Sequence, residues 1–248
     1  MSVWTGKKIV VIGGSRGVGR QIVESAAAEG ARVLAVARDV GRLQQLTREV
    51  AGVQVLALDA SAEDAPARVF AVLEPDVLVL CAGVFPTVGP LHQLTWQEFA
   101  VNWEADVKMA FHFSKAALSR PLPQGASVVM IASGAALAGS PVSGGYAGAK
   151  RTQIFIANYA QKESDRLRLG LRFTALAPRM MPDTELGKHA VAAYAQYLGI
   201  PEAAFIQSLD TPPVAADVAT AVIQVVTKPD QHQGKVFIVS GRGLEAVS

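Results

Sequence analysis

Cysteine is almost missing from the chain. The single Cys81 excludes an internal disulfide, and no Cys/His set has the spacing of a zinc site. A reducing, cytoplasmic setting without a resident metal is expected. Net charge is scarce as well: 23 basic residues face 21 acidic ones, and neither sign forms a long block. That balance gives little electrostatic reason to expect nucleic acid as a partner. Charged residues and Gly-Pro interruptions recur throughout, leaving no apolar run of about 18 residues, so no membrane span is expected. The stretch from Met1 to Lys8 is short and polar and lacks the pattern of a secretory leader. No repeat or low-complexity linker divides the 248 residues, which implies one domain over 1–248.

What is present is a strand–helix rhythm. Apolar, β-branched runs occur at Lys8 to Ile12, Arg32 to Val36, Val53 to Leu58, Asp76 to Leu80, Ser127 to Ile131, Leu171 to Ala175 and Lys235 to Val239. Several are apolar at consecutive positions, as strands covered on both faces of a parallel sheet should be. Helical stretches separate them at Arg20 to Glu29, Gly41 to Val50, Glu98 to Leu118, Ala147 to Leu167 and Ala215 to Val226. The expectation is an α/β, doubly wound Rossmann fold: seven mainly parallel strands with helices on both faces. The rhythm breaks only between Pro178 and Pro213. A helical pattern from Glu185 to Leu198 and a shorter one ending near Leu209 suggest a substrate lid over about 179–212.

The first strand runs into Gly13-Gly14-Ser15-Arg16-Gly17-Val18-Gly19, a glycine-rich turn opening a helix. Gly13 permits the turn, Gly17 clears space for a pyrophosphate, and Gly19 allows close helix packing, while the helix start favours an anion. The second strand ends in Ala37-Arg38, without the carboxylate that NAD enzymes use on the ribose. Arg38 and Arg16 can instead converge on a 2′-phosphate, so NADP(H) is the expected cofactor.

Tyr146 and Lys150 stand four residues apart, on one face of a helix. A neighbouring ammonium favours the phenolate, which would bring a phenol of pKa about 10 toward the working range. Together with the spacing Gly13-x-x-x-Gly17-x-Gly19, this pair makes the chain resemble the short-chain dehydrogenase/reductase family, in its NADP(H)-preferring form. The resemblance covers essentially the whole chain. It implies that Ser133, 13 residues before Tyr146, holds a substrate oxygen, that Tyr146 is the acid/base, and that Lys150 tunes it. Counting 27 residues back from Ser133 reaches Asp106, where the family carries an Asn; Asn102 is out of register. That Asn helps hold a proton-relaying water, partly by exposing its own carbonyl at a helix kink. The same resemblance places Asp59 and Ala60 by the adenine, Ala82 and Gly83 beneath the cofactor, and Pro178 and Thr184 near its nicotinamide half. Ser15 and Val18 belong to the phosphate turn.

The departures are Ile12 for a Thr, Leu80-Cys81 where an Asn braces the central strand, Asp106, and Arg179 for a Gly. Arg179 reads equally as a pocket residue or a surface charge. Cys81 reads as a buried structural thiol, and Ser140 and Ser143 as loop serines. His92, His112, His189 and His232 read as structural or surface groups. Trp96, Phe99, Trp103, Phe111 and Phe113 read as helix-packing groups, whereas Tyr194 and Tyr197 can contact substrate. The implied activity interconverts a small-molecule carbonyl and alcohol by hydride transfer, with reduction favoured. A catalytically silent NADP(H)-binding protein of the same fold is the alternative. A homo-oligomer, tetramer or dimer, is a further implication of the resemblance.

Overall fold

The computed structural model describes residues 4–247; the start of the Met1 to Lys8 stretch and Ser248, the two ends of the expected domain, lie outside them. The chain begins with β1 (Lys8–Ile12), α1 (Gly17–Ala28), β2 (Arg32–Ala37), α2 (Val40–Glu49), β3 (Gln54–Ala57), α3 (Ala65–Val72) and β4 (Val77–Leu80). There follow α4 (Trp96–Asn102), α5 (Lys108–Ser119), β5 (Ser127–Ile131), α6 (Ala135–Ala138), α7 (Tyr146–Leu167) and β6 (Arg172–Pro178). The last third holds α8 (Glu185–Leu198), α9 (Glu202–Gln207), α10 (Ala215–Thr227), α11 (Pro229–His232), β7 (Val236–Ser240) and β8 (Gly243–Ala246). Helix α3 was not among the helices expected from sequence.

The sheet runs β3-β2-β1-β4-β5-β6-β7-β8, with every neighbouring pair parallel except β7 and β8. Eight strands therefore replace the expected seven. The extra one is a four-residue, partly exposed edge strand that hairpins back across Gly241-Arg242, too short to give a periodic signal. Strand order reverses between β1 and β4, so the crevice at their carboxyl ends is where this architecture binds ligands.

Alternation along the strands divides the core between the two faces of the sheet. Val10, Ile12, Leu78 and Leu80 pack with Met109 and Phe113 of α5 and Ile154 of α7. Ile9, Val11, Val77 and Val79 pack with Ile22 of α1 and Val218 and Val222 of α10. β4 and β5 are buried along their whole length, which explains their unbroken apolar sequence.

Two helical expectations need correction. The span Glu98 to Leu118 is not one helix: a π turn at Trp103–Val107 separates α4 from α5. Of its aromatics, Phe113 is fully buried and Trp103, partly exposed, lies against Gly145 and Gly148 at the start of α7, but Trp96 and Phe111 are exposed. The excursion after β6 forms α8 and α9, which share a small core of Val191, Ala195 and Phe205.

The start of α7 is seated by Gly145. A Cβ there would stand 1.9 Å from the Phe99 carbonyl oxygen, and the obstacle is backbone. Gly145→Ala is expected to destabilise the fold by about 1–3 kcal/mol through overpacking. Urea unfolding followed by tryptophan fluorescence measures this.

Candidate active site

A cavity of about 740 Å³ opens at the carboxyl ends of β1 and β4. Its floor is the glycine turn. Gly13 has φ +89°, and a Cβ there would lie 2.6 Å from the backbone of Ala82. A Cβ on Gly19 would stand 2.1 Å from the Gly13 carbonyl oxygen, whereas at Gly17, with φ +51°, it would meet nothing within 4 Å. Gly13 and Gly19 thus close the turn, and Gly17 leaves its outer side clear. The missing Thr is compensated through backbone: Gly13 N–H and Gly14 N–H donate to Val36 O at 2.7 and 3.2 Å, while Ile12 joins the core. This bare start of the twelve-residue α1 fits a dinucleotide pyrophosphate.

Ser15, Val18, Arg38, Asp59, Ala60 and Ala82 all line the cavity. Asp59 accepts from Ser61 N–H at 3.0 Å and from the Ser61 hydroxyl at 2.8 Å, which holds its carboxyl below the ordinary range. The guanidinium that sequence reasoning missed is Arg42, on the first turn of α2. Arg42 and Arg16 both bind the Glu185 carboxylate at the start of α8, at 3.1 and 3.0 Å. The hydrogen bond from Arg42, then the charges of both arginines, hold Glu185 below its usual pKa despite some desolvation. Arg38 precedes α2 while Arg42 stands on its first turn, so no periodicity in the sequence joins the two. The Arg16 guanidinium also lies 4.5 Å from the centre of the Phe85 ring, whose other neighbour is His189, stacked at 5.9 Å.

Ser133, Tyr146, Lys150 and Asp106 meet at the inner end of the same cavity. Ser133 follows β5, its hydroxyl accepting from Ala135 N–H at 3.2 Å, and it lies near enough to the Tyr146 phenol to favour the phenolate. Lys150 Nζ lies 5.6 Å from the centre of the Tyr146 ring, 3.4 Å from Asp106 Oδ2, 3.1 Å from Gln153 Oε1 and 3.3 Å from Ile131 O. Lys150 and Asp106 are both buried. Burial works to lower the Lys150 pKa, but Asp106, Tyr146 and Cys81 outweigh it and hold the ammonium above its ordinary value.

Tyr146 departs from expectation. Burial pushes its phenol above the ordinary value, and the lowering by Lys150 and Ser133 does not overcome it; Asp106 and Cys81 add to the rise. The ammonium acts in the direction expected from sequence, but desolvation is the larger effect. Burial also pushes the Cys81 thiol up to about 11, which suits an inert structural residue.

The bracing role of the absent Asn is divided between two residues. Asp106 Oδ1 accepts from Val84 N–H at 3.0 Å, and Asn102 Nδ2 donates to Val84 O at 2.9 Å. Asn102, out of register by one turn, therefore points to the same place. Gly83 leaves room for this carboxylate, since a Cβ there would lie 2.9 Å from Asp106 Oδ2.

Pro178 ends β6, and its carbonyl accepts from Gly134 N–H at 2.7 Å. Thr184 caps α8, accepting from Gly187 N–H and donating to Met181 O, each at 2.9 Å. Arg179 pairs with Asp210 at 3.1 Å, bracing the base of the excursion. Ser140 is more than a loop serine: its hydroxyl bonds the Tyr194 hydroxyl, while the Tyr194 ring stacks on Phe205 at 5.2 Å. Tyr197 is exposed. Among the described residues no cluster of three or more His, Cys, Asp or Glu is placed to hold a metal ion, and no helix is long and apolar enough to cross a membrane.

A family model described as short chain dehydrogenase matches residues 7–195. The chain is a short-chain dehydrogenase. A short chain dehydrogenase/reductase from Aspergillus aculeatus, AacuD, is 33% identical over 220 residues, covering 82% of this chain and 78% of its own. A bovine L-xylulose reductase is 25% identical over 126 residues, about half of each chain. The fold matches a crystal structure titled as a glucose/ribitol dehydrogenase of the family from Brucella melitensis. The TM-score is 0.82, with 19% identity and coverage of 97% of this chain and 98% of the other. The short-chain dehydrogenase is an oxidoreductase, and the family uses a nicotinamide cofactor, NAD or NADP.

Asp106 offers a direct test of the electrostatics. Asp106→Asn removes a charge that raises the Tyr146 pKa, so the phenol is expected to ionise at lower pH. Ultraviolet difference titration against Tyr146→Phe reads this shift; an unmoved midpoint would show that the carboxylate is not felt at the phenol.

Proposed function

We propose that this short-chain dehydrogenase is an NADPH-dependent carbonyl reductase whose acid/base is Tyr146. The observation that carries the proposal is the meeting of Ser133, Tyr146 and Lys150 in one cavity with the bare glycine turn. When bound, the cofactor supplies hydride chemistry. The chain's residues supply position and protons. Ser133 orients the substrate oxygen, Tyr146 gives that oxygen a proton in reduction and recovers it in oxidation, and Lys150 holds positive charge beside the phenol. A phenol kept above its ordinary pKa is protonated at neutral pH, the state that reduction needs. The relative titled as a reductase supports the same direction.

For NADP(H) over NAD(H), the support is electrostatic. Arg16 and Arg42 face the cavity by the end of β2, with Arg38 beside them and no carboxylate at Ala37. The two arginines already hold a carboxylate between them, so an anion of phosphate type suits the place. We assign the pyrophosphate to Ser15, Gly17, Val18 and Gly19, the adenine to Asp59 and Ala60, and passage beneath the cofactor to Ala82 and Gly83. Pro178 and Thr184 border its nicotinamide half, and residues 179–212 serve as the lid. Exposed Phe111 on α5 and Phe155 and Tyr159 on α7 suit a homo-oligomer built through these helices. A reducing cytoplasm remains the setting that best suits a lone, unpaired Cys81.

NADPH oxidation against a panel of ketones and aldehydes tests the chemistry. Turnover is expected, with Tyr146→Phe lowering kcat by about 10²–10⁴-fold. Reduction should hold steady through neutral pH, while alcohol oxidation rises into the alkaline range as the phenol ionises. Equal activity of Tyr146→Phe would reject the assignment.

Glu185 tests the cofactor reading separately. Its ion pairs are half exposed and weak, so Glu185→Gln should free both arginines and tighten NADPH binding by about 2–5-fold. NADH binding should hardly change, and Arg16→Ala with Arg42→Ala should abolish the preference. Calorimetric titration with each cofactor measures both effects, and equal affinities in the parent protein would overturn the preference.

A further inference from the structure

We propose that Gln153 is a positioning residue for the catalytic lysine, its carboxamide bridging the Lys150 ammonium and the Asp106 main-chain oxygen. The inference rests on the oxidoreductase reading of Tyr146 and Lys150.

The placement follows from helical spacing. Tyr146, Lys150 and Gln153 lie at i, i+4 and i+7 of α7, one stripe facing the sheet. Gln153 is fully buried in a stripe that continues with the apolar Ile154 and Ala157. A buried carboxamide needs partners, and it has one on each side. Its Oε1 accepts from Lys150 Nζ at 3.1 Å, and its Nε2 donates to the Asp106 main-chain oxygen at 3.0 Å. That oxygen belongs to the π turn, whose wider hydrogen-bond spacing frees a carbonyl from the helical ladder.

The chemistry admits only one orientation of the amide. An ammonium only donates and a carbonyl only accepts, so the bridge must accept from one and donate to the other. A carboxamide does both, as a water molecule does; an aliphatic side chain does neither. Lys150 carries three N–H donors and meets three acceptors: Gln153 Oε1, Ile131 O and the Asp106 carboxylate. Gln153 thereby shares the ammonium with Asp106 and restrains it from moving fully onto that carboxylate, away from the phenol. The charged and titratable groups around this centre are Tyr146 and Lys150 from α7, Asp106 from the π turn and Cys81 from the end of β4.

Two substitutions separate a bridge from a packing group. Gln153→Leu preserves volume but blocks the bridge, whereas Gln153→Ala opens room for a water with Lys150 and Asp106 as partners. The bridge predicts that Leu is worse: kcat down about tenfold, and the Tyr146 midpoint up by about one pH unit, with Ala recovering at least half of each. A packing role predicts the reverse order, because the cavity of Ala is then the larger defect.

The pH profile of kcat is measured on a substrate from the carbonyl panel, alongside ultraviolet titration of the phenol. NADPH quenching of tryptophan fluorescence confirms that each variant is folded, and Gln153→Met replaces Leu if Leu does not fold. Parent-like profiles, or Ala worse than Leu, would overturn the proposal. Absence of turnover in the parent protein would instead sink the carbonyl-reductase reading, and the phenol titration would still rank the variants and decide the place of Gln153.

Discussion

A buried ammonium is the constraint around which this site is built. Removing a charge from water costs several kcal/mol unless close acceptors replace its hydration. Lys150 finds these acceptors in a carboxylate, a carboxamide and a main-chain oxygen, drawn from three different parts of the chain. The acceptors require a broken helix at Trp103–Val107, the end of β5 and the first two turns of α7 to stand together. The parallel sheet makes that possible, because it brings the ends of β4 and β5 side by side and lays α7 across the face already occupied by α5.

Much of this was legible in sequence, and the reason is local. Strands buried on both faces leave unbroken apolar runs, and a glycine turn between strand and helix can be recognised within about ten residues. Tyr146 and Lys150 stand out through helical spacing once Ser133, 13 residues earlier, is read with them. What was not legible depends on long-range placement. The π turn leaves no compositional mark, since Trp103 to Val107 reads as ordinary helix. Arg42 becomes relevant only when α2 brings it beside Arg16, and Gln153 only when the Asp106 carbonyl is set free opposite it. Net ionisation was also hidden: spacing shows that an ammonium is near a phenol, but the degree of desolvation decides which effect prevails.

The departures from the family pattern belong together. Without an Asn at position 81, the loop after β4 lacks a brace, and Asn102 and Asp106 grip Val84 from both its donor and its acceptor side. Asp106 must then be acidic or otherwise an acceptor at Val84 N–H, and its second oxygen faces Lys150. A lysine drawn toward a buried carboxylate risks losing contact with the phenol, and Gln153 supplies a competing acceptor.

This mutual dependence bears on whether the site is catalytic or a relic. Stability alone would favour replacing a buried ion pair with apolar groups, often by 1–4 kcal/mol on the general scale of such exchanges. Here the opposite arrangement exists: a buried ion pair and a buried amide sit beside a half-buried phenol at an open cavity. The buried side-chain atoms left without a partner include Asn102 Oδ1, Ser114 Oγ and Ser143 Oγ, and none belongs to Lys150, Asp106 or Gln153. Expensive polar groups that are fully partnered, and placed where a ligand can reach them, are better explained by chemistry than by folding.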